Sequence, residues 1–172
     1  MTTTKPIKDK IKALQIEYDR LRADKESLLK LIDESELSES VYNSNAIENS
    51  TLSLKETEKI LLDLEVSRNV SVREIFEAKN LARVTEYIRT KAGELELARD
   101  TILLLHKMLI SNINDDYAGR FRKRGEYVRV GTHIAPAPEH VNSMIEAAML
   151  QHISDRENYF IDKIARFHLD FE

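Results

Sequence analysis

The 172-residue sequence contains no cysteine and no tryptophan, and it has only four glycines and three prolines. Without cysteine, disulfide bonds and thiolate metal ligands are excluded, which is compatible with a reducing compartment. No stretch approaches the roughly 18 consecutive apolar residues of a transmembrane helix, and the N-terminus leads into no apolar core like that of a signal peptide. The sequence therefore predicts a soluble, cytoplasmic protein with no membrane partner.

The composition favours helices and argues against binding to nucleic acid. Hydrophobic residues make up 42% of the chain and charged residues 33%, with few helix breakers between them. The net charge of −4 and the pI near 5.8 are unsuited to a protein that neutralises phosphates through bulk charge. The length suits one domain, or one domain with a helical arm, and is sufficient to bury a core.

Familiar catalytic and metal-binding patterns are missing from the sequence. It has no Gly-x-x-x-x-Gly-Lys loop, no Gly-x-Gly-x-x-Gly and no Gly-x-Ser-x-Gly, so no phosphate cradle of these types is predicted. The five histidines show no zinc-ligand spacing. His168, Asp170 and Glu172 are close in sequence but would point in different directions on a helix. We therefore expect these three residues to be structural and predict no metal site.

The first 50 residues read as two helices around a polar break. One helical pattern covers residues 6–32, a polar break covers 33–38, and a short helix covers 39–48. The apolar stripe of the first helix suits either an arm packed on its own domain or a short coiled coil. Asp24 and Lys25 interrupt a continuing heptad, which favours the arm. The stripe consists of Ile7, Ile11, Leu14, Tyr18, Leu21, Leu28 and Leu31.

Three capping boxes predict helix starts farther along the chain. Each box is a serine followed three residues later by a glutamate, so that each side chain can accept a hydrogen bond from the other residue's backbone N–H. A further helix is expected over 95–113, and the last helix should bury one apolar face. The boxes are Ser53 with Glu56, Ser71 with Glu74 and Ser154 with Glu157, and that face is Phe160, Ile164, Phe167 and Phe171.

The segment 127–130 is the one plausible β element, since its residues alternate with a period of two before a Gly-Thr turn. Cations surround it, with one carboxylate, Glu126, among them. A nucleic-acid site would need aromatic platforms between those cations, and only Phe121 and Tyr127 are available. A solvated hairpin and a docking edge for a protein both remain open. The cations are Arg120, Arg122, Lys123, Arg124 and Arg129.

Three segments together resemble the Fic (Fido-domain) family, in that family's order. Ser44-x-x-x-Glu48-Asn49 is similar to the inhibitory motif Ser/Thr-x-x-x-Glu-Gly/Asn. Segment 119–138 resembles the Gly-x-Tyr/Phe-Arg pattern followed by a β-hairpin flap and a proline pair. Segment 164–172 resembles the helix that leads into the catalytic loop, His-Pro-Phe-x-x-Gly-Asn-Gly-Arg. The sequence does not contain that loop, so we expect the chain to stop just before the reaction centre.

The resemblance implies an all-α fold, a mainly helical Fic-type bundle with one short β-hairpin flap. Residues 1–38 would form an N-terminal helical arm, for which we find no resemblance. Residues 39–172 would form the N-terminal part of a Fic domain. Within that part we expect the inhibitory helix at 39–49, the flap at about 119–138 and a truncated core helix at 154–172. A truncated helix would leave Phe167 or Phe171 exposed.

The activity implied by the resemblance is protein adenylylation in a bacterial-type Fic protein. AMP would pass from ATP, with Mg²⁺, to a Ser, Thr or Tyr hydroxyl of a target protein, and a homodimer is a further expectation. This fragment would hold neither ATP nor Mg²⁺ by itself and would be inactive alone. Two alternatives stay open: a non-catalytic helical regulatory or interaction module, and a Fic-fold enzyme that transfers UMP or phosphate.

The resemblance also assigns roles to residues, none of them catalytic. Glu48 would pair with an arginine of the catalytic loop and obstruct the γ-phosphate of ATP, as a bidentate carboxylate–guanidinium pair can. Ser44 and Asn49 complete the autoinhibitory motif, with Asn49 ending the helix. Ser44 and Asn45 would face the nucleotide. The alternative for Glu48 is a solvated helix end. Flap residues Tyr127, Val128, Arg129, Val130 and Gly131 would dock the target protein.

Overall fold

The structure is a computed structural model, and it describes residues 2–66 and 68–171. Within these ranges the chain forms seven α-helices and one two-stranded antiparallel hairpin, which confirms the expected all-α fold with a short flap. The helices are α1 (Lys5–Arg22), α2 (Glu26–Ile47), α3 (Leu54–Leu61), α4 (Val72–Lys91), α5 (Arg99–Ile110), α6 (Pro138–Ser154) and α7 (Phe160–Phe171); the strands are β1 (Arg129–Val130) and β2 (His133–Ile134).

The described residues fall into two compact units, residues 1–29 with 123–172 and residues 30–122. The second unit contains the best-packed core. In it, α3 and α5 both pack against α4, and the side chain of Asn80 donates hydrogen bonds to the carbonyls of Leu109 (2.9 Å) and Ser111 (2.7 Å) at the end of α5. This contact satisfies carbonyls that a helix end leaves unpaired. The core consists of Val41, Leu52, Ile60, Ala78 and Ala82.

The first unit contains the α6–α7 pair, the hairpin and α1. The start of α1 is attached to α7: the backbone N–H and hydroxyl of Thr3 both donate to Asp162 Oδ1, at 2.8 and 2.6 Å. Lys8 Nζ also lies 4.9 Å from the centre of the Tyr159 ring. No residue of α1 is buried, so this helix is attached at its first turns and leaves most of its apolar stripe exposed.

The break between the first two helices lies earlier than predicted. The helix expected over 6–32 ends at Arg22, and the break expected over 33–38 is absent because α2 runs through it. Asp24 has φ 59°, a left-handed conformation that Asp tolerates better than most residues and that ends a helix. Residues 33–38 contain no Gly or Pro to stop α2. The segment predicted as a separate short helix is therefore the last part of α2.

Two of the three predicted capping boxes are confirmed. Ser53 with Glu56 caps α3, and Ser71 with Glu74 caps α4, with both reciprocal hydrogen bonds present in each. The third prediction is wrong, because Ser154 is the last residue of α6 rather than the start of α7. Asp155 organises that connection instead: its carboxylate accepts hydrogen bonds from the backbone N–H groups of residues 157 and 158.

Two further helix predictions need correction. The helix expected over 95–113 covers only Arg99–Ile110. The apolar face of α7 was predicted to be buried, but none of the described residues of that helix is buried. Phe171 is 48% exposed and Ile164 57% exposed, while Phe167 is half-buried and lies 5.1 Å, ring centre to ring centre, from His152. The expectation that Phe167 or Phe171 is exposed is thus met by Phe171.

Candidate functional site

The apolar side chains near the end of α2 pack in the core of the second unit. Val41 is fully buried in the core, and Leu37, one helical turn earlier, packs against the same cluster. After the helix ends, Leu52 enters this core as well. Val41 and Leu52 therefore anchor the two ends of the segment 42–51 in the core.

Asn49 ends α2 through a Schellman motif. It has φ 64°, its N–H donates to the carbonyl of Ala46 at 3.2 Å, and the N–H of Ser50 donates to the carbonyl of Asn45 at 3.0 Å. These are the 5→2 and 6→1 bonds that satisfy the last carbonyls of a helix. Asparagine suits the position because it adopts left-handed backbone angles more readily than other non-glycine residues.

Thr51, just after this turn, is held by two other parts of the unit. Its N–H and its hydroxyl both donate to Glu74 Oε1, at 2.9 and 2.7 Å. Its carbonyl accepts a hydrogen bond from Arg68 Nη2 at 2.9 Å. Arg68 in turn donates from Nε to Glu56 Oε1 at 2.6 Å. Glu74 therefore extends from its own helix to this connection, and Glu56 is linked to it only through Arg68.

These contacts depend on both glutamates being ionised. The hydrogen bond from Arg68 and those from Ser53 lower the pKa of Glu56 from 4.5 to about 2. The hydroxyl and N–H of Thr51, followed by the hydroxyl of Ser71, lower the pKa of Glu74 from 4.5 to about 2. A carboxylate accepts from all of these donors, whereas a protonated acid would present one donor of its own.

The three residues predicted for the autoinhibitory motif and Asn45, which was predicted to face the nucleotide, lie together at this helix end. Ser44, Glu48 and Asn49 are exposed, and Asn45 is half-buried with its side-chain nitrogen enclosed and without a hydrogen-bond partner in the described chain. Ser44 and Glu48 are four residues apart, which places them on the same helix face. The arrangement presents the Glu48 carboxylate to solvent from a helix end of fixed direction.

The predicted flap forms a hairpin whose described side chains are exposed. Arg129 pairs with Ile134 and Val130 pairs with His133. Tyr127 and Val128 are 62% and 40% exposed. The hairpin turns at Gly131, whose φ of 58° suits glycine, and Arg129 Nε donates to the Gly131 carbonyl at 2.7 Å. Backbone pairing therefore holds the flap, with little packing of side chains.

A histidine that the sequence did not single out stabilises the loop after α5. The N–H of Gly119 donates to Nδ1 of His106 at 3.2 Å, and burial lowers the pKa of His106. Nδ1 must be unprotonated to accept, so the ring is neutral when this bond forms. Gly119 has φ 73°, and a Cβ at this position would lie 2.8 Å from Lys107 Cβ. Only glycine therefore fits without displacement.

The described residues contain no group of three or more His, Asp or Glu side chains that could hold a metal ion.

Sequence reasoning found the helix end but missed the residues that hold it. Ser71 and Glu74 were recognised as a capping box, but nothing in their spacing indicates that Glu74 reaches Thr51, 23 residues earlier in the chain. Arg68 gave no signal because an arginine in a loop is ordinary. Each capping glutamate has a second oxygen outside its box, but water could satisfy that oxygen, so the sequence does not indicate its partner.

None of the described helices has the length and apolar character of a membrane span.

The C-terminal part of the chain matches a family model. Residues 96–172 match the Fic/DOC family. This range contains α5, the hairpin, α6 and α7, and it leaves the motif around Glu48 outside the match.

Proteins with similar sequences extend the resemblance toward the N-terminus. The chain is 30% identical over 129 residues to protein adenylyltransferase fic-1 of Caenorhabditis briggsae, covering 73% of this chain and 25% of that protein. It is 28% identical over 109 residues to protein adenylyltransferase Fic of Nematostella vectensis, covering 62% of this chain and 25% of that one. The chain thus spans about a quarter of the length of these curated relatives.

Two solved structures have the same fold. A Fic family protein from Desulfovibrio desulfuricans superimposes with a TM-score of 0.75 at 22% identity, covering 99% of this chain and 52% of that one. A Fic domain containing signaling protein from Bacteroides thetaiotaomicron gives 0.68 at 26% identity, covering 83% and 55%. With the family-model match and the similar sequences, these folds identify the chain as a Fic-family protein.

Proposed function

We propose that this chain is the regulatory and scaffold portion of a protein adenylyltransferase, in which Glu48 restrains the transfer of AMP from ATP to a hydroxyl of a target protein. Two relatives are named as protein adenylyltransferases, and this supports the chemistry. The observation that carries the regulatory role is the fixed end of α2, which presents an exposed Glu48 from a turn closed at Asn49.

The proposed role of Glu48 is to occupy an arginine of the catalytic loop. A carboxylate and a guanidinium form two parallel hydrogen bonds, a pair that is strong and directional yet reversible. While that arginine is paired, it does not orient the γ-phosphate of ATP. Ser44 and Asn45 then face the nucleotide, and the chain itself contributes no catalytic group. Residues 1–172 are accordingly expected to be inactive alone.

The domain division and the flap belong to the same proposal. Residues 1–38 act as an N-terminal arm, and residues 39–172 provide the inhibitory helix end, the flap and the core helix. The exposed hairpin offers backbone groups and the Tyr127 side chain to a protein target that carries a Ser, Thr or Tyr hydroxyl. A cytoplasmic location and a homodimer complete the proposal.

The test replaces Glu48 by glycine in the full-length gene product. We expect Glu48→Gly to raise auto-adenylylation at least tenfold, on the order of 1.4 kcal/mol in the barrier, because it removes both the carboxylate and the bulk near the γ-phosphate. Glu48→Gln should have a smaller effect, since it keeps the bulk and loses the charge. The measurement is incorporation of labelled AMP from ATP with Mg²⁺ at equal concentrations of folded protein.

Equal labelling of wild type and Glu48→Gly would remove Glu48 from the mechanism and leave a solvated helix end. Labelling from UTP, or from the γ-phosphate of ATP, in place of AMP transfer would favour the alternative of a Fic-fold enzyme that moves another group. No transfer of any group from either protein would favour a non-catalytic helical module.

A further inference from the structure

Glu74 lies on a different helix from Glu48 but contacts the segment that follows Glu48. Its Oε2 accepts from the hydroxyl of Ser71 at 2.8 Å, which completes the capping box of α4. Its Oε1 has no part in capping and accepts from both the N–H and the hydroxyl of Thr51. One carboxylate therefore starts α4 and holds the turn after α2.

This second contact adds to two other anchors of the same connection. The Schellman bonds already close α2 at Asn49, and Leu52 already anchors the chain in the core. Thr51 lies between these two anchors, three residues after Glu48, and its N–H, hydroxyl and carbonyl are all engaged by side chains from elsewhere. The result is a connection whose path is fixed at each residue from Asn49 to Leu52.

We propose that Glu74 and Thr51 are positioning residues that hold Glu48 in its inhibitory orientation, an inference that rests on the proposed function. Neither residue touches the nucleotide. Their hydrogen bonds prevent the last turn of α2 from unwinding or rotating, so the Glu48 carboxylate keeps one direction. Release of inhibition then requires this contact to break, and loss of either partner weakens inhibition without altering Glu48.

Conservative variants separate positioning from simple loss of structure. Thr51→Val removes the hydroxyl and keeps the shape, whereas Thr51→Ser keeps the hydroxyl. Glu74→Gln retains the capping box, because glutamine also serves at the third helical position. With the glutamine oxygen kept in the capping box, its NH₂ would face Thr51, and the Thr51 N–H would lose its acceptor. Matched controls are Thr101→Val and Glu77→Gln. The Thr101 hydroxyl donates to the carbonyl of Glu96 and Glu77 accepts from Arg73, both of which are local contacts along the chain.

The experiment measures auto-adenylylation of the full-length gene product. We expect a three- to tenfold increase for Thr51→Val and for Glu74→Gln, less than for Glu48→Gly, and wild-type activity for Thr51→Ser and both controls. In a Glu48→Gly background, Thr51→Val should add less than twofold, because it acts through Glu48. Independent multiplication of the two effects would overturn the inference.

Amide hydrogen exchange in the same proteins gives a second measurement. The N–H groups of Asn49, Ser50 and Thr51 should exchange faster in Thr51→Val and Glu74→Gln, while those within α4 keep their protection. Faster exchange in α4 as well would indicate general loosening and contradict a positioning role.

If Glu48→Gly raises labelling and neither Thr51→Val nor Glu74→Gln does, the positioning role is wrong and the proposed function stands. If Glu48→Gly itself has no effect on labelling, the proposed function is wrong, and the positioning role that rests on it is wrong as well.

Discussion

The end of α2 and the hairpin flap are built in opposite ways, although both are short and surface-exposed. The helix end lies between two core residues, and Thr51 just after it accepts a side-chain hydrogen bond from the loop before α4 and donates two to a side chain of α4. The hairpin has two paired residues in each strand and no buried side chain among those described. A fixed helix end suits a group that must keep one direction, whereas an exposed hairpin can adapt to the surface of a partner.

Core substitutions should expose this contrast most strongly. Val41→Ala removes two methyl groups from a fully buried side chain, which should lower the free energy of unfolding by about 2–3 kcal/mol once the cavity is included. Val128→Ala in the hairpin, where the side chain is 40% exposed, should cost less than about 0.5 kcal/mol. Urea denaturation of both variants checks the comparison, and similar costs at the two positions would contradict it.

Two glycines with positive φ differ in what surrounds them. Gly119→Ala combines a left-handed backbone with a Cβ placed 2.8 Å from Lys107 Cβ, so it should destabilise the protein by about 2–3 kcal/mol. Gly131→Ala meets no atom within 4 Å and should cost only the conformational penalty, about 1 kcal/mol. Thermal unfolding of the two variants is the measurement. A larger loss at Gly131 would show that the hairpin turn is more constrained than its open surroundings indicate.

The residue that ends α2 should tolerate glycine better than alanine. Asn49→Ala places a Cβ at φ 64° without the favourable local contacts of asparagine, and should cost about 1 kcal/mol. Asn49→Gly should be close to neutral in stability. Denaturant midpoints compare the two, and faster amide exchange at Ser50 in the alanine variant would locate the loss at this turn. Equal midpoints would mean that the Schellman turn carries little stability.

Acid should weaken the contacts that hold the connection after α2. Glu56 and Glu74 have folded-state pKa values of about 2, below their ordinary 4.5. Their ionised forms therefore stabilise the fold above about pH 4.5, and that contribution is lost as the pH falls toward 2. Glu56→Gln and Glu74→Gln should each flatten the decline of unfolding free energy over this range. An unchanged pH profile in both variants would contradict the contacts assigned to these carboxylates.

Local signals in the sequence predicted much of the fold, and contacts between distant residues account for the failures. The capping boxes were predictable because the two residues of each box lie three positions apart; these boxes are Ser53 with Glu56 and Ser71 with Glu74. The end of α1 was misplaced because Asp24 adopts a left-handed conformation that no dipeptide pattern reveals. The contact between Thr51 and Glu74 spans 23 residues and depends on how α4 packs, so spacing alone could not predict it.

The chain closes several turns without glycine: among the described residues, Asp24, Asn49, Asp63 and Asn112 all have positive φ. A glycine at any of them would relieve some strain in the native state but would widen the range of conformations open to the unfolded chain, and these effects are similar in size, about 0.4–1 kcal/mol each. The scarcity of glycine thus reduces the entropy of the denatured ensemble. A stability-engineering effort that introduces glycine at these four positions should gain nothing.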